Sequence, residues 1–286
     1  PSIIYNYVAC FSKRHFRIGL QGNVNEVIYF CKIMFIIISM INVEFIKDEI
    51  ACVSFDTGKR SNLLSLDIIR QLTDIADELN HNKKLMAIIL SGGHQNFSFG
   101  FDLKDKEFLK LEKLGFEDNR DYFQLGKIMC DTWEKLKCLT ICEIKGWCVG
   151  GGVALATSCD LRLAETAAKF YVPEVERGLN MSWGSVPRIN ALLGPAKTKR
   201  LLLLAEKISA QTAKAWGLID GYYSPDKLKL ETIKLAEKAA EMPRLPFMLT
   251  KESINNHANA MAMATSYNDH DIFSLAYANL KEKFFK

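Results

Sequence analysis

Three consecutive glycines, Gly150, Gly151 and Gly152, stand where a β-like run gives way to an apolar segment. The run is Leu139–Ile144 (LTICEI), and the segment Val153–Ser158 follows the stretch Gly146–Ala154 (GWCVGGGVA). The spacing predicts a strand, a turn at Lys145–Gly146, and a helix entered through the glycines. Uncovered backbone N–H groups at a helix start stabilise negative charge, by hydrogen bonding and through the positive end of the helix dipole. Glycines before a helix also serve close packing or a tight turn, and the local pattern allows that use as well. A dinucleotide loop fails, because Leu155 stands where the last Gly of G-x-G-x-x-G belongs. A P-loop fails because no Lys-Ser/Thr pair follows. An oxyanion hole, in which such an N–H polarises a carbonyl, stays open.

The surrounding chain alternates between two periods. Val43–Ile46 and Ile50–Phe55 alternate apolar with polar residues about Lys47–Asp48–Glu49, which predicts a β-hairpin. From Ser65 to Asn80, Ile68/Ile69, Leu72, Ile75/Ala76 and Leu79 recur at helical spacing. Met86–Leu90 reads as a buried strand, Ser91–Asp105 as a loop, and the charged stretch up to about Arg120 carries no clear pattern. A helix is expected over Tyr122–Leu136, then the strand and glycine-led helix above, then a strand at Leu161–Ala164. Such alternation means an α/β fold. Beyond Pro187 the pattern is helical, with segments near 195–205, 209–216, 226–241 and 243–257 and a last helix from Asp269 to Phe285. No linker or repeat divides residues 40–286, which read as one domain with a helical C-terminal extension.

Residues 1–39 look foreign to that pattern. They hold Lys13, Arg14, Arg17 and Lys32 against Glu26, and so carry +3 of the net +4. The rest is nearly neutral, which argues against a nucleic-acid-binding face. The apolar run Val27–Ile41 contains Lys32 and is shorter than the roughly 20 residues of a membrane helix. We expect an N-terminal extension outside the fold, with Met40 as the natural start, and no membrane association unless residues 27–41 act as an anchor. Of eight cysteines, Cys138, Cys142, Cys148 and Cys159 gather near the glycines, but their spacing matches no zinc pattern. Buried free thiols in a cytoplasmic protein are expected instead.

Four segments resemble the crotonase (enoyl-CoA hydratase/isomerase) family, in its order and spacing. They are NFSFGFDLKD, GWCVGGGVALATSCDLRLA, KFYVPEVERGL and SAQTAKAWGLID. The resemblance covers residues 40–286 and implies a spiral of ββα units, assembled as trimers or as hexamers of two trimers, acting on acyl-CoA thioesters. It places the two thioester-holding N–H groups on Phe101 and Gly151, flanked by Gly100 and Gly150. The family has a small residue where Phe101 stands, but the hole requires only the backbone N–H. Asp102 is expected to steady the loop, while Lys104 and Lys251 are candidates for the CoA phosphates. Coenzyme A enters as part of the substrate; no metal or further cofactor is implied.

The carboxylates bear on the reaction. The resemblance puts a hydratase's first glutamate at the position of Ala154, which cannot move protons, and its second at Glu174. One carboxylate suffices to carry a proton from one carbon to another, so double-bond isomerisation is favoured over hydration. Ser182 stands where dienoyl-CoA isomerases and aryl-CoA dehalogenases need an Asp. Glu176, Arg177 and Trp183 lie close by; any of them could line the pocket, but surface or packing roles are expected for each. Hydration with a single Glu, decarboxylation, thioester hydrolysis and a catalytically silent binding module remain as alternatives.

Overall fold

The computed structural model describes residues 40–111, 115–261, 266 and 268–284. The expected N-terminal extension, residues 1–39, lies outside the described residues, and so does all but the end of the apolar run 27–41. The elements below belong to the unit Met40–Lys286. Among the described residues no helix is long and apolar enough to cross a membrane.

The hairpin forms as its alternation predicts. β1 (Ile41–Lys47) pairs antiparallel with β2 (Ile50–Phe55), from Ile41↔Phe55 to Lys47↔Ile50, with an irregularity between Phe45 and Lys47. The chain then crosses through α1 (Leu66–Asn80), started by the Ser65 hydroxyl accepting from the Ile68 N–H at 3.2 Å. It returns as β3 (Ala87–Ser91), parallel to β2. The patternless charged stretch is helical in part: α2 (Lys106–Leu111) lies within it, and α3 (Phe116–Glu134) starts several residues before Tyr122. A start expected at Tyr122 falls late because the opening FEDNRD has five polar residues after Phe116 and so shows no apolar stripe.

β4 (Leu139–Ile144) lies parallel to β3. The chain does not turn directly into a helix after it. A three-residue strand, β5 (Trp147–Val149), intervenes before α4 (Gly151–Ser158). The unit repeats: β6 (Leu161–Glu165) joins the large sheet, β7 (Lys169–Tyr171) the small one, and α5 (Ser185–Leu203) follows, bent at Gly194, where φ is 72°. Then come β8 (Ile208–Ser209), α6 (Ala210–Trp216), β9 (Gly221–Tyr223), α7 (Pro225–Ala240), α8 (Arg244–Ala258) and α9 (Asp269–Phe284). The large sheet has the order β1-β2-β3-β4-β6-β9 and the small one β5-β7-β8. From β4 to β7 successive strands alternate between the two sheets, and a helix follows each pair, the ββα turn that the resemblance implies.

Every second residue of the parallel strands faces one of two cores. Ile88, Leu90, Cys142 and Ile144 join Leu72, Met129 and Trp133 on one side. Ala87, Ile89, Ile141 and Leu163 meet Leu228, Ala236 and Ala239 of α7 on the other. Burial on both faces is what near-continuous apolar strands require. The indole of Trp133, fully buried, donates to the Leu72 carbonyl at 3.1 Å and ties α3 to α1. The clustered cysteines are buried and free; burial holds the Cys138 thiol up at about 11 and raises Cys142 and Cys148 well above the ordinary thiol value.

Candidate active site

The site is built by one short strand pairing. β5 and β7 run parallel with Val149 opposite Tyr171, and the Gly150 N–H donates to the Tyr171 carbonyl at 2.9 Å. The residue after Val149 therefore lies beside the segment leaving Tyr171, and Glu174 reaches Gly150. A Cβ on Gly150 would stand 2.4 Å from Glu174 Oε1, and Gly150 itself has φ 51°, ψ −116°. No other residue type fits that backbone and that neighbour together.

The loop from β3 closes the other side. Asn62 anchors it, donating to the Phe55 and Phe97 carbonyls at 3.1 and 2.8 Å. Ser98 Oγ donates to the Asn62 carbonyl and accepts from the Gly100 N–H. Gly100, at φ 87°, brings its backbone against Gly151: a Cβ there would lie 2.9 Å from the Gly151 nitrogen. A Cβ on Gly151 would in turn be 3.3 Å from the Phe101 nitrogen, and one on Gly152 would meet the Ser98 carbonyl at 2.9 Å. Each glycine of the triplet thus makes room for a different neighbour. The amides of Phe101 and Gly151 sit side by side at the start of α4, and among the described residues neither donates to a protein acceptor. Two such donors can hold one developing oxyanion without reorganising.

Phe101, Gly151, Ala154, Glu174, Ser182 and Trp183 line one cavity of about 60 Å³. Leu66, Ile69, Phe108, Phe123, Met181 and Phe273 make most of its apolar wall. Glu174 is the one carboxylate among these lining residues. Its Oε2 is closed off from solvent and has no hydrogen-bond partner among the described residues. Burial pushes its carboxyl from 4.5 up to about 7, only partly opposed by a backbone hydrogen bond and by Arg177. A carboxyl so poised can both take and return a proton near neutrality.

The remaining sequence candidates separate. Asp102 Oδ1 accepts from the Lys104 N–H at 3.0 Å, and the Asp102 N–H donates to Leu64; both bonds steady the loop. Lys104 is exposed on that loop. Lys251 does not join the group. On α8, nearly buried, its ammonium donates to Asp160 Oδ2 at 2.6 Å and to the Cys138 carbonyl at 2.7 Å. Its charge is used inside the protein, which a lysine in an otherwise polar helical stretch does not reveal. Glu176 is exposed and accepts from the Tyr171 hydroxyl.

Trp183 is more than surface or packing. It lies half-buried in the cavity wall with φ 62°, a left-handed conformation that costs a non-glycine residue about 1–2 kcal/mol. Arg188 Nη1 donates to its carbonyl at 3.1 Å, and the N–H of the following Gly184 donates to Asp269 of α9 at 2.5 Å. Arg188 is itself held by Asp131 at 2.7 Å and Glu134 at 2.9 Å of α3. Sequence reasoning missed the wall residues Phe108, Phe123, Gly126, Met181 and Phe273. The available signal was Gly126, an isolated glycine inside an otherwise good helix.

A family model described as enoyl-CoA hydratase/isomerase matches residues 46–283. A short-chain-enoyl-CoA hydratase from Clostridium acetobutylicum is 27% identical over 208 residues, covering 72% of this chain and 78% of that protein. A crotonyl-CoA hydratase from Syntrophomonas wolfei is 27% identical over 238 residues, covering 83% and 90%. The crystal structure of an enoyl-CoA hydratase from Bacillus anthracis superposes with a TM-score of 0.71 at 26% identity, over 81% of this chain and 90% of that one.

Proposed function

Given that this chain belongs to the enoyl-CoA hydratase/isomerase family, we propose that it moves the double bond of an enoyl-CoA thioester, with Glu174 as its single acid/base. The thioester oxygen lies between the Phe101 and Gly151 N–H groups. Glu174 takes a proton from C2 of a 3-enoyl-CoA, and the electron pair of that C–H bond passes into a dienolate whose charge rests on the thioester oxygen. The same carboxyl returns the proton to C4, so the double bond ends between C2 and C3. Nothing is added or lost. Losing one oxyanion donor typically raises such a barrier by about 3–4 kcal/mol. Exposed Lys104 is the cation assigned to a CoA phosphate.

The observation that carries this reading is the solitary carboxylate. Glu174 is half-buried, its Oε2 closed off from solvent and its carboxyl pushed up to about 7, while Ala154 of α4, which lines the same cavity, is a methyl group with no proton to exchange. A second reading, hydration, is favoured by the names of the Clostridium and Syntrophomonas relatives. It requires a water to be deprotonated with the help of Glu174 alone. Apolar side chains left open on α8 and α9, such as Leu245, Ile254 and Leu275, support assembly into a trimer or hexamer.

The test is incubation of the full chain with 3-enoyl-CoA and 2-enoyl-CoA separately, alongside Glu174→Gln, with products followed by mass and then by chromatography. Isomerisation without mass change, abolished in Glu174→Gln, is the expected result. Gain of one water from 2-enoyl-CoA would replace isomerisation by hydration. Binding of the esters with no turnover would leave a binding module.

A further inference from the structure

The indole of Trp183 lies across two bare α-carbons. A Cβ on Gly126 would stand 2.1 Å from its Cε2, and a Cβ on Gly151 would stand 2.7 Å from both Cη2 and Cζ3. One edge of the ring therefore rests on α3 and the other on the first residue of α4. Phe101 meets it edge-on, with ring centroids 6.1 Å apart and planes at 78°. The backbone beneath is fixed from two directions, by Arg188 on the Trp183 carbonyl and by Asp269 on the Gly184 N–H. The ring is wedged between α3 and α4, and its backbone is held from α5 and α9.

What it leaves is small. The cavity beside Glu174 measures about 60 Å³, whereas pockets for small organic ligands run to roughly 300–1,000 Å³. The indole lines the same cavity as the Gly151 and Phe101 amides and Glu174, and it rests on Gly151 itself.

We propose that Trp183 sets the acyl length this site accepts: its indole occupies the space that the tail of a longer acyl group needs, so short acyl thioesters bind and medium or long ones do not. This rests on the acyl-CoA reading above and assigns the substrate class within it. Trp183 is a specificity residue here, because it bounds the tail and takes no part in proton transfer.

The experiment measures binding of butyryl-CoA, octanoyl-CoA and palmitoyl-CoA to the full chain by calorimetry. Saturated esters are used so that the readout does not depend on which reaction the enzyme performs. The variants are Trp183→Gly, whose backbone suits the left-handed conformation, and Trp183→Leu, which keeps apolar bulk should the first not fold. Wild type is expected to bind butyryl-CoA at least about 10-fold more tightly than octanoyl-CoA. That ratio is expected to shift toward the longer esters by about 10-fold or more in Trp183→Gly, and by less in Trp183→Leu. Equal wild-type affinity for all three esters, or an unchanged ratio in a folded variant, overturns the assignment to Trp183 while sparing the acyl-CoA reading. Failure of every ester to bind the wild type overturns both.

Discussion

Replacing Glu174 by Gln should make folding stability less sensitive to pH, in a direction opposite to that of an ion-paired carboxylate. Burial holds the Glu174 carboxyl at about 7, against 4.5 for a free one. Between those values the folded chain keeps a proton that the unfolded chain has released, so stability falls as pH rises. At ~1.36 kcal/mol per unit the shift amounts to roughly 3 kcal/mol, fully lost above about pH 7 and restored below about pH 4.5. Glutamine has no such proton. Its amide adds a cost of its own where Oε2 had no partner, on the order of 1–3 kcal/mol, but that cost does not vary with pH. The measurement is urea denaturation of both proteins at about pH 4 and about pH 8. The variant should gain roughly 3 kcal/mol on the wild type between the two, or about 10 °C in Tm for a domain of this size. Parallel pH profiles would show that the carboxyl is solvated in the folded chain, and the argument from its burial would fall with them.

Gly150→Ala places a methyl group 2.4 Å from Glu174 Oε1 at a left-handed backbone. It should lower kcat more than about 100-fold while costing about 1–2 kcal/mol of stability, read by steady-state kinetics beside thermal melting. Arg188→Met removes the cation shared by Asp131 and Glu134 and should destabilise by about 3–5 kcal/mol in urea titration. Lys251→Met should likewise lower Tm, because Asp160 keeps its Thr140 hydrogen bonds but loses its counter-charge, yet leave the KM for a CoA ester unchanged. Lys104→Ala should do the reverse, raising KM several-fold with Tm unaltered, since an exposed cation contributes little to folding.

The long elements were legible because their periods are long enough to read. The hairpin, α1, β3 and β4 all stand where alternation and the helical stripe put them. β5, β7, β8 and β9 were not, since two or three residues cannot display a period of two. That gap matters for the site. Glu174 follows a proline in a sequence that looks like a solvated loop, and only the pairing of β5 with β7 buries it. The family motif carried the residue; local chemistry alone did not. Trp183 was hidden for another reason: a left-handed backbone is normally announced by glycine. Lys251 misled because a lysine's partner, Asp160, lies 91 residues away in sequence.

The hydrogen bond from Gly184 to Asp269 spans 85 residues. During synthesis at roughly 5–20 residues per second, the ribosome delivers Asp269 about 4–17 s after Gly184. In that interval β5 and β7 can pair and seat Glu174, but Phe273 and Tyr277, which pack on Phe108 and Phe123, have not yet been made. A nascent chain therefore carries Glu174 in place early and shows an uncovered aromatic wall until α9 emerges. That window is where a chaperone has most to hold, and chains cut before Asp269 are the ones that should aggregate.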